Sequence, residues 1–143
     1  MEEGVAEFLT TLPADSDHPF ITHMPKKWQL VAWAIVMDRQ GHQLPHIHPA
    51  AWISGVYYVQ LPSLMQGDGN GHAGWIEFGR PQSDFKSKAE PEIRIFRPEE
   101  GLMFLFPSYL YHETIPYESD ENRISVAFDV LPADDDYKPP TNL

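Results

Sequence analysis

Residues 28–37 read WQLVAWAIVM, a run in which the one strongly polar side chain is Gln29. Aromatic and β-branched residues over this length are typical of a β-strand. Gly41 follows closely and breaks the pattern before a longer helix could form. We therefore predict a strand over residues 28–37, the first strand of the domain.

Apolar runs of similar length recur along the chain, with prolines between them or at their edges. A proline does least harm there, because it has no N–H to give to a neighbouring strand. The further predicted strands are residues 51–61, 74–78, 92–96, 102–106, 112–115 and 123–130. Seven short strands with Pro/Gly turns, and almost no helical periodicity after residue 12, predict an all-β antiparallel sandwich or barrel.

The two ends of the chain predict less regular structure than the middle. Residues 1–27 hold three prolines among acidic and small residues, so we expect a short N-terminal helical or irregular lead-in, with one helix near residues 3–12. Residues 28–131 form the predicted domain. Residues 132–143 contain three successive aspartates and two successive prolines, which predicts a flexible, solvated C-terminal tail.

Composition and charge exclude several classes of protein. The 143 residues contain no cysteine, which excludes disulfides and thiolate metal sites and leaves His, Asp, Glu and backbone oxygens as ligands. The formal net charge of −11 opposes nucleic acid and anionic membranes as partners. No apolar run approaches the roughly 20 residues of a spanning helix, and the acidic start is unlike a signal peptide, so we expect a cytoplasmic location. A homodimer is a further expectation, because a short β-barrel has edge strands to protect.

Three histidines stand where a metal site carried by strands would need them. His46 and His48 are separated by one residue, so on an extended segment both side chains leave the same face. His112 comes much later, at a point where a barrel could return the chain to face that pair. Three such ligands leave three octahedral positions open, which suits Fe(II) with a bidentate cosubstrate and O2. A solvated loop is the alternative for the first pair, and spacing alone does not decide between them.

An Arg-x-Ser pattern offers a second chemical signal. On a strand, Arg123 and Ser125 point to one face and present a donor fork plus a hydroxyl to a carboxylate. The alternative for Arg123 is a surface ion pair with one of the nearby acids Glu118, Asp120 or Glu121.

Several sequence blocks run in a fixed order from about Trp28 to Val130. They are HIHP (46–49), WISGVYYV (52–59), GWIEF (74–78), PEEGLMFLFP (98–107), His112 and RISVAF (123–128). In this order they resemble the 2-oxoglutarate/Fe(II) oxygenases related to prolyl hydroxylases. The ordered set is far more specific than any single motif, and it covers most of the chain.

The resemblance implies a double-stranded β-helix, the jelly-roll or cupin-like barrel, with Fe(II) as its metal. Its catalytic metal ligands would be His46 and His48 from the second barrel strand and His112 from the seventh. The wider superfamily has Asp or Glu where this chain has His48, and the imidazole leaves the iron site one unit of charge more positive. Whether His48 is a ligand or a neighbour of the ligands stays open at this stage.

The resemblance also implies 2-oxoglutarate as cosubstrate. Arg123 would hold its distal carboxylate, helped by Ser125 and by a tyrosine that faces into the barrel. Counting alternate residues from Ser54 through Val56 identifies Tyr58 as that tyrosine. The implied enzyme is a hydroxylase-type dioxygenase that couples decarboxylation of 2-oxoglutarate to oxidation of a C–H bond.

Two rival functions remain open. One is a cupin-like metal dioxygenase that works without 2-oxoglutarate, and the other is a non-catalytic barrel that binds a small acid or a metal. The sequence does not identify a substrate, which could be a small molecule or a protein.

A glycine and four aromatic residues receive structural predictions. Gly55 lies inside a predicted strand, which indicates a bulge or a close approach of backbone or ligand. The aromatic residues predicted to fill the core are Trp33, Trp52, Trp75 and Phe128.

Overall fold

The structure of the chain, a computed structural model, describes residues 1–14, 17–67, 71–86 and 88–134. It contains two helices and eight strands, with one 3₁₀ turn at Ser63–Gln66. In chain order these are α1 (Glu2–Thr11), α2 (Pro19–Thr22), β1 (Trp28–Met37), β2 (Gln40–His46), β3 (Ile53–Gln60), β4 (Ile76–Phe78), β5 (Arg94–Phe96), β6 (Met103–Pro107), β7 (His112–Glu118) and β8 (Arg123–Pro132). From residue 135 onward, the predicted tail lies outside the described residues.

The strands form two four-stranded antiparallel sheets. The larger sheet has the order β1-β8-β3-β6 and the smaller one β2-β7-β4-β5. Each sheet thus joins strands from both halves of the chain, which is the arrangement of a jelly roll built from two Greek keys. The all-β, double-stranded β-helix prediction is confirmed.

The seven strands predicted from apolar runs are all present, and one strand was missed. Strand β2 reads QGHQLPH and has neither β-branched residues nor alternation. It forms because β7 pairs along it, so tertiary pairing overrides a weak local preference.

Two prolines lie inside strands: Pro116, which was predicted at the edge of a run, and Pro45, whose segment was not among the predicted strands. The pairing of β2 with β7 shifts register between Gly41 and Gln43 and again between Gln43 and His46. Pro116 falls opposite the first shift and Pro45 within the second, and a bulge tolerates a residue that has no N–H. The second shift immediately precedes His46, so it also sets the direction of that side chain.

The register of the larger sheet places a set of polar side chains on its inner face. Ser54 pairs with Asp129 and Tyr58 with Ser125, and alternation along β8 adds Arg123 to the same face. This inner face looks toward the smaller sheet and forms one wall of the space between the two sheets.

The lead-in is helical and covers part of the larger sheet. Val5 of α1 and Phe20 of α2 are buried against Trp52 and Phe128, and the indole N–H of Trp52 donates to the carbonyl of Phe20 at 2.9 Å. The lead-in therefore contributes to the hydrophobic core. Neither helix in the described part of the chain has the length and apolar character needed to cross a membrane.

Gly55 packs against the ring of Phe128, so its close neighbour is a side chain, whereas the sequence predicted a bulge or a close approach of backbone or ligand. A Cβ at this position would overlap the Phe128 ring atoms, and Phe128 is fully buried. We expect Gly55→Ala to lower the free energy of unfolding by about 1–3 kcal/mol through overpacking, as measured by urea denaturation. Gly67→Ala is the matched control, because a Cβ there meets nothing within 4 Å. Equal losses in the two variants would contradict this explanation.

Candidate active site

The three predicted histidines come together between the sheets. Ring centroids lie 5.3 Å apart for His46 and His48, 4.2 Å for His46 and His112, and 5.2 Å for His48 and His112. One ring nitrogen from each lies within 4.8 Å of the others. Such a convergence of imidazole nitrogens offers one ion a ligand set.

The fold holds each histidine by a different means. His46 ends β2 and is paired directly with His112, which begins β7. His48 lies beyond the end of β2, and its backbone N–H donates to the carbonyl of Ser108 at 3.0 Å. Two ligand candidates are therefore fixed by sheet pairing and the third by a loop contact.

In all three histidines a hydrogen bond at Nδ1 fixes the ring and leaves Nε2 as the nitrogen that could bind a metal. Nδ1 of His46 lies 2.7 Å from the carbonyl of Leu44, and Nδ1 of His112 lies 3.0 Å from the carbonyl of Leu110. A carbonyl only accepts, so these nitrogens carry the proton and Nε2 keeps its lone pair. Metal-binding histidines are commonly oriented in this way, so the donor set fits a metal ion.

Asp129 holds the third histidine, and the sequence analysis missed it. Its carboxylate oxygens lie 2.7 and 2.9 Å from Nδ1 of His48, and one of them accepts a hydrogen bond from Ser54 at 2.6 Å. The signal was present, since Asp129 lies on the same strand face as Arg123 and Ser125. Continuing that alternation by four residues would have placed it on the inner face of the larger sheet, although it would not have predicted the contact with His48.

Burial keeps His112 uncharged at neutral pH. The pKa of His112 is lowered from 6.5 to about 4, mainly by loss of hydration. The carbonyl of Leu110 and the carboxylate of Asp129 act against this shift, and His46 and His48 add to it. The unfolded chain therefore binds a proton near pH 6.5 that the folded chain does not bind until about pH 4. This histidine stabilises the fold above pH 6.5, and the contribution is lost as the pH falls toward 4.

We expect the metal-free protein to lose about 2 kcal/mol of unfolding free energy from His112 alone between pH 7 and pH 5. Urea denaturation at several pH values, with chelator present, measures this loss. His112→Asn should show a correspondingly shallower pH dependence. If the variant keeps the full slope, other groups cause the acid sensitivity.

Arg123 is buried in the opposite part of the same space. It is 2% exposed, which excludes the predicted alternative of a surface ion pair. Its Nη1 lies 3.4 Å from the hydroxyl of Ser125, and the guanidinium carbon lies 5.1 Å from the centre of the Tyr58 ring. Within the described part of the chain, Nε of Arg123 has no hydrogen-bond partner and no carboxylate pairs with the guanidinium. A buried, uncompensated cation is costly, which indicates a place for an anion.

Tyr58 supplies a second unsatisfied donor beside Arg123. The side chain is fully buried, and its hydroxyl finds no partner among the described residues. Burial raises the pKa of Tyr58 to about 12, although the Arg123 charge acts in the opposite direction. The hydroxyl therefore keeps its proton and is available to donate to an anion.

One cavity of about 240 Å³ connects the histidines with the arginine. Its lining includes the polar residues His46, His48, His112, Tyr58, Arg123 and Ser54. Ser125, which is fully buried, touches this set through Arg123. The cavity thus has the three imidazoles in one part and the Arg123 guanidinium in another, with apolar side chains between them.

Trp33 lies at this cavity, so the prediction that it fills the core was wrong. It is 39% exposed, whereas Trp52 and Phe128 are buried as predicted. Its ring stacks on His48 with centroids 5.9 Å apart. The reason is its position, because β1 is an edge strand and a side chain on its cavity face keeps an open side.

Comparison with known proteins gives a match to one family model. A family model described as "Putative 2OG-Fe(II) oxygenase" matches residues 31–129, a range that includes all the cavity residues discussed above. Among solved structures, KdgF from Halomonas sp. is similar at 19% identity and a TM-score of 0.40, covering 77% of this chain and 91% of that one. No curated protein matches the sequence.

Proposed function

We propose that this chain, which belongs to the 2OG-Fe(II) oxygenase family, is a 2-oxoglutarate-dependent dioxygenase of the hydroxylase type. In this proposal His46, His48 and His112 hold Fe(II), and Arg123, Ser125 and Tyr58 bind 2-oxoglutarate. The substrate, a small molecule or a protein, is not specified by these residues, and a cytoplasmic location remains the expectation.

The observation that carries the proposal is the unpaired Arg123. A buried guanidinium with a free Nε lines the same small cavity as three converging imidazoles. A ligand that satisfies both ends needs a carboxylate for the arginine and metal-binding oxygens at its other end. 2-Oxoglutarate has this combination, since its 2-oxo acid group chelates a metal and its second carboxylate is free to meet a bidentate donor.

The protein's own residues would bind, orient and exclude water. Arg123 and the protonated Tyr58 hydroxyl fix the far carboxylate, which sets the direction of the 2-oxo group toward the histidines. Apolar neighbours such as Ile76 and Phe106 keep water from the space between the two ends. When bound, Fe(II) and 2-oxoglutarate supply O2 activation, with decarboxylation to succinate and CO2 coupled to oxidation of a substrate C–H bond.

The test is anaerobic addition of 2-oxoglutarate to the Fe(II)-loaded protein. Chelation of Fe(II) by the 2-oxo acid should give a weak visible charge-transfer band that saturates at one equivalent of 2-oxoglutarate. Succinate is the matched control, because it keeps the carboxylates but lacks the 2-oxo group and should give no band. On admission of O2 the band should decay as succinate forms.

Failure of this test would separate the rival functions. Stoichiometric Fe(II) binding without a band would reject 2-oxoglutarate and leave a dioxygenase whose substrate chelates the metal directly. A folded protein that binds neither Fe(II) nor 2-oxoglutarate would leave a non-catalytic barrel.

A further inference from the structure

Asp129 is the acidic residue in direct contact with the three-histidine cluster. It reaches Nδ1 of His48 with both carboxylate oxygens, at 2.7 and 2.9 Å. Its side chain is 15% exposed and that of His48 is 16% exposed, so water screens the pair only partly. The contact is therefore strong in a way that a surface ion pair is not.

A metal held by three neutral imidazoles lacks an anionic ligand. Neutral ligands do not offset the two positive charges of a divalent ion. A partly buried charge that is not offset is costly. Among the described residues at the cluster, the carboxylate of Asp129 stands one imidazole away from the ion's position. A carboxylate bonded to the outer nitrogen of a ligating histidine makes that histidine more basic and fixes its ring.

Asp129 also gives His48 the hydrogen-bond acceptor that backbone carbonyls give to the other two histidines. His46 and His112 have their Nδ1 atoms held by main-chain carbonyls of Leu44 and Leu110. His48 lies beyond the end of its strand, and its Nδ1 is held by the Asp129 side chain instead. Asp129 is in turn fixed by the Ser54 hydroxyl at 2.6 Å.

We propose that Asp129 is a positioning residue that orients His48 and, through that imidazole, supplies the negative charge that the three-histidine metal site lacks. The inference rests on the proposed function, because it requires a metal at these histidines. In this proposal His48 binds the metal directly. The His48–Asp129 pair then takes the place of an anionic ligand.

The experiment measures the affinity of the protein for Zn²⁺ and Co²⁺ by competition with a chromophoric chelator, without 2-oxoglutarate. Asp129→Asn keeps an oxygen acceptor for His48 but removes the charge, and we expect affinity to fall about 10–100-fold. Asp129→Ala removes both the acceptor and the charge and should fall at least as far. Asp120→Asn is the matched control, because it makes the same change at a solvent-exposed acid in the turn between β7 and β8 and should leave the affinity unchanged.

A double-mutant cycle separates action through His48 from a general electrostatic effect. In a His48→Ala background, Asp129→Asn should change metal affinity less than about threefold, because the imidazole that transmits the effect is gone. ¹⁵N spectra of the metal-free protein should show the His48 proton on Nδ1 in wild type and in Asp129→Asn. These spectra establish that the variant differs in charge and not in tautomer.

The possible failures are distinct. If wild type binds neither ion, the proposed metal site is rejected along with the inference. If wild type binds and Asp129→Asn binds equally well, the inference alone is rejected. A full loss that persists in the His48→Ala background would also reject it, since Asp129 would then act without His48.

Discussion

Replacing His46 by alanine is expected to abolish coupled turnover of 2-oxoglutarate. His46 supplies one of three converging nitrogens and is paired with His112 across β2 and β7. Its loss would leave two of the three proposed ligands, so Fe(II) affinity should fall by more than the roughly 10–100-fold that loss of an outer contact to a metal ligand causes. Fe(II) retained after gel filtration, and succinate formed under O2, measure the two effects.

His42→Ala is the matched control for that variant. His42 lies on the same strand but is exposed to solvent, so its removal should leave metal content and succinate formation near the wild-type values. Urea denaturation of the metal-free proteins should give similar unfolding free energies for both variants. A His46→Ala protein that binds Fe(II) as tightly as wild type would reject the proposed ligand set.

Replacing Arg123 by methionine is expected to lower the affinity for 2-oxoglutarate without lowering the stability of the ligand-free protein. Affinity should fall by at least about 30-fold, because loss of one partner of a buried charge pair costs about 2 kcal/mol or more. The unfolding free energy of the ligand-free protein should stay level or rise, because a buried cation without a carboxylate partner is replaced by an apolar chain of similar length. Titration of the charge-transfer band and urea denaturation measure the two quantities.

Two further variants define what the arginine contributes. Arg123→Lys keeps the charge without the planar donor fork, so its affinity should lie between those of wild type and the methionine variant. Arg94→Met is the surface control, since Arg94 is 67% exposed and pairs with Glu92, and it should leave affinity unchanged. Unchanged affinity in Arg123→Met would instead remove the arginine from the proposed cosubstrate site.

Strands with strong local signals could be predicted from the sequence, and those held by pairing could not. Strand β1 was predicted to the residue because apolar and β-branched side chains fill it. Strand β2 carries Pro45 and no β-branched residue, and it exists because β7 lies beside it. From the residues alone, the segment with His46 and His48 was either extended or a solvated loop, and only the family resemblance implied a second strand bearing His46.

The candidate site residues were predicted from two spacing patterns. The two-residue spacing of His46 and His48 and the Arg-x-Ser pattern both follow from strand alternation. The structure brings His46, His48 and Arg123 to one cavity, with Ser125 buried beside Arg123. Asp129 was missed because a single acid in an apolar strand has no distinctive spacing to a histidine far away in the sequence. Its contact with His48 depends on how β8 and the loop after β2 pack together.

The prediction for Trp33 was wrong because residue type alone does not distinguish a tryptophan in the core from one at the edge of a cavity. The same indole would be buried on a central strand, but β1 is at the edge of its sheet. Sheet order, which the sequence does not state directly, therefore decides whether this ring packs or faces a cavity.

The ring of Trp33 on His48 also gives the molecule a built-in optical probe. The other tryptophans, Trp28, Trp52 and Trp75, are buried or partly buried, whereas Trp33 is 39% exposed and touches an imidazole of the cluster. We therefore expect its emission to be the most red-shifted component of the protein's fluorescence. A paramagnetic ion such as Co²⁺ at the cluster would quench this component selectively, so occupancy could be followed by intrinsic fluorescence in the unlabelled wild-type chain.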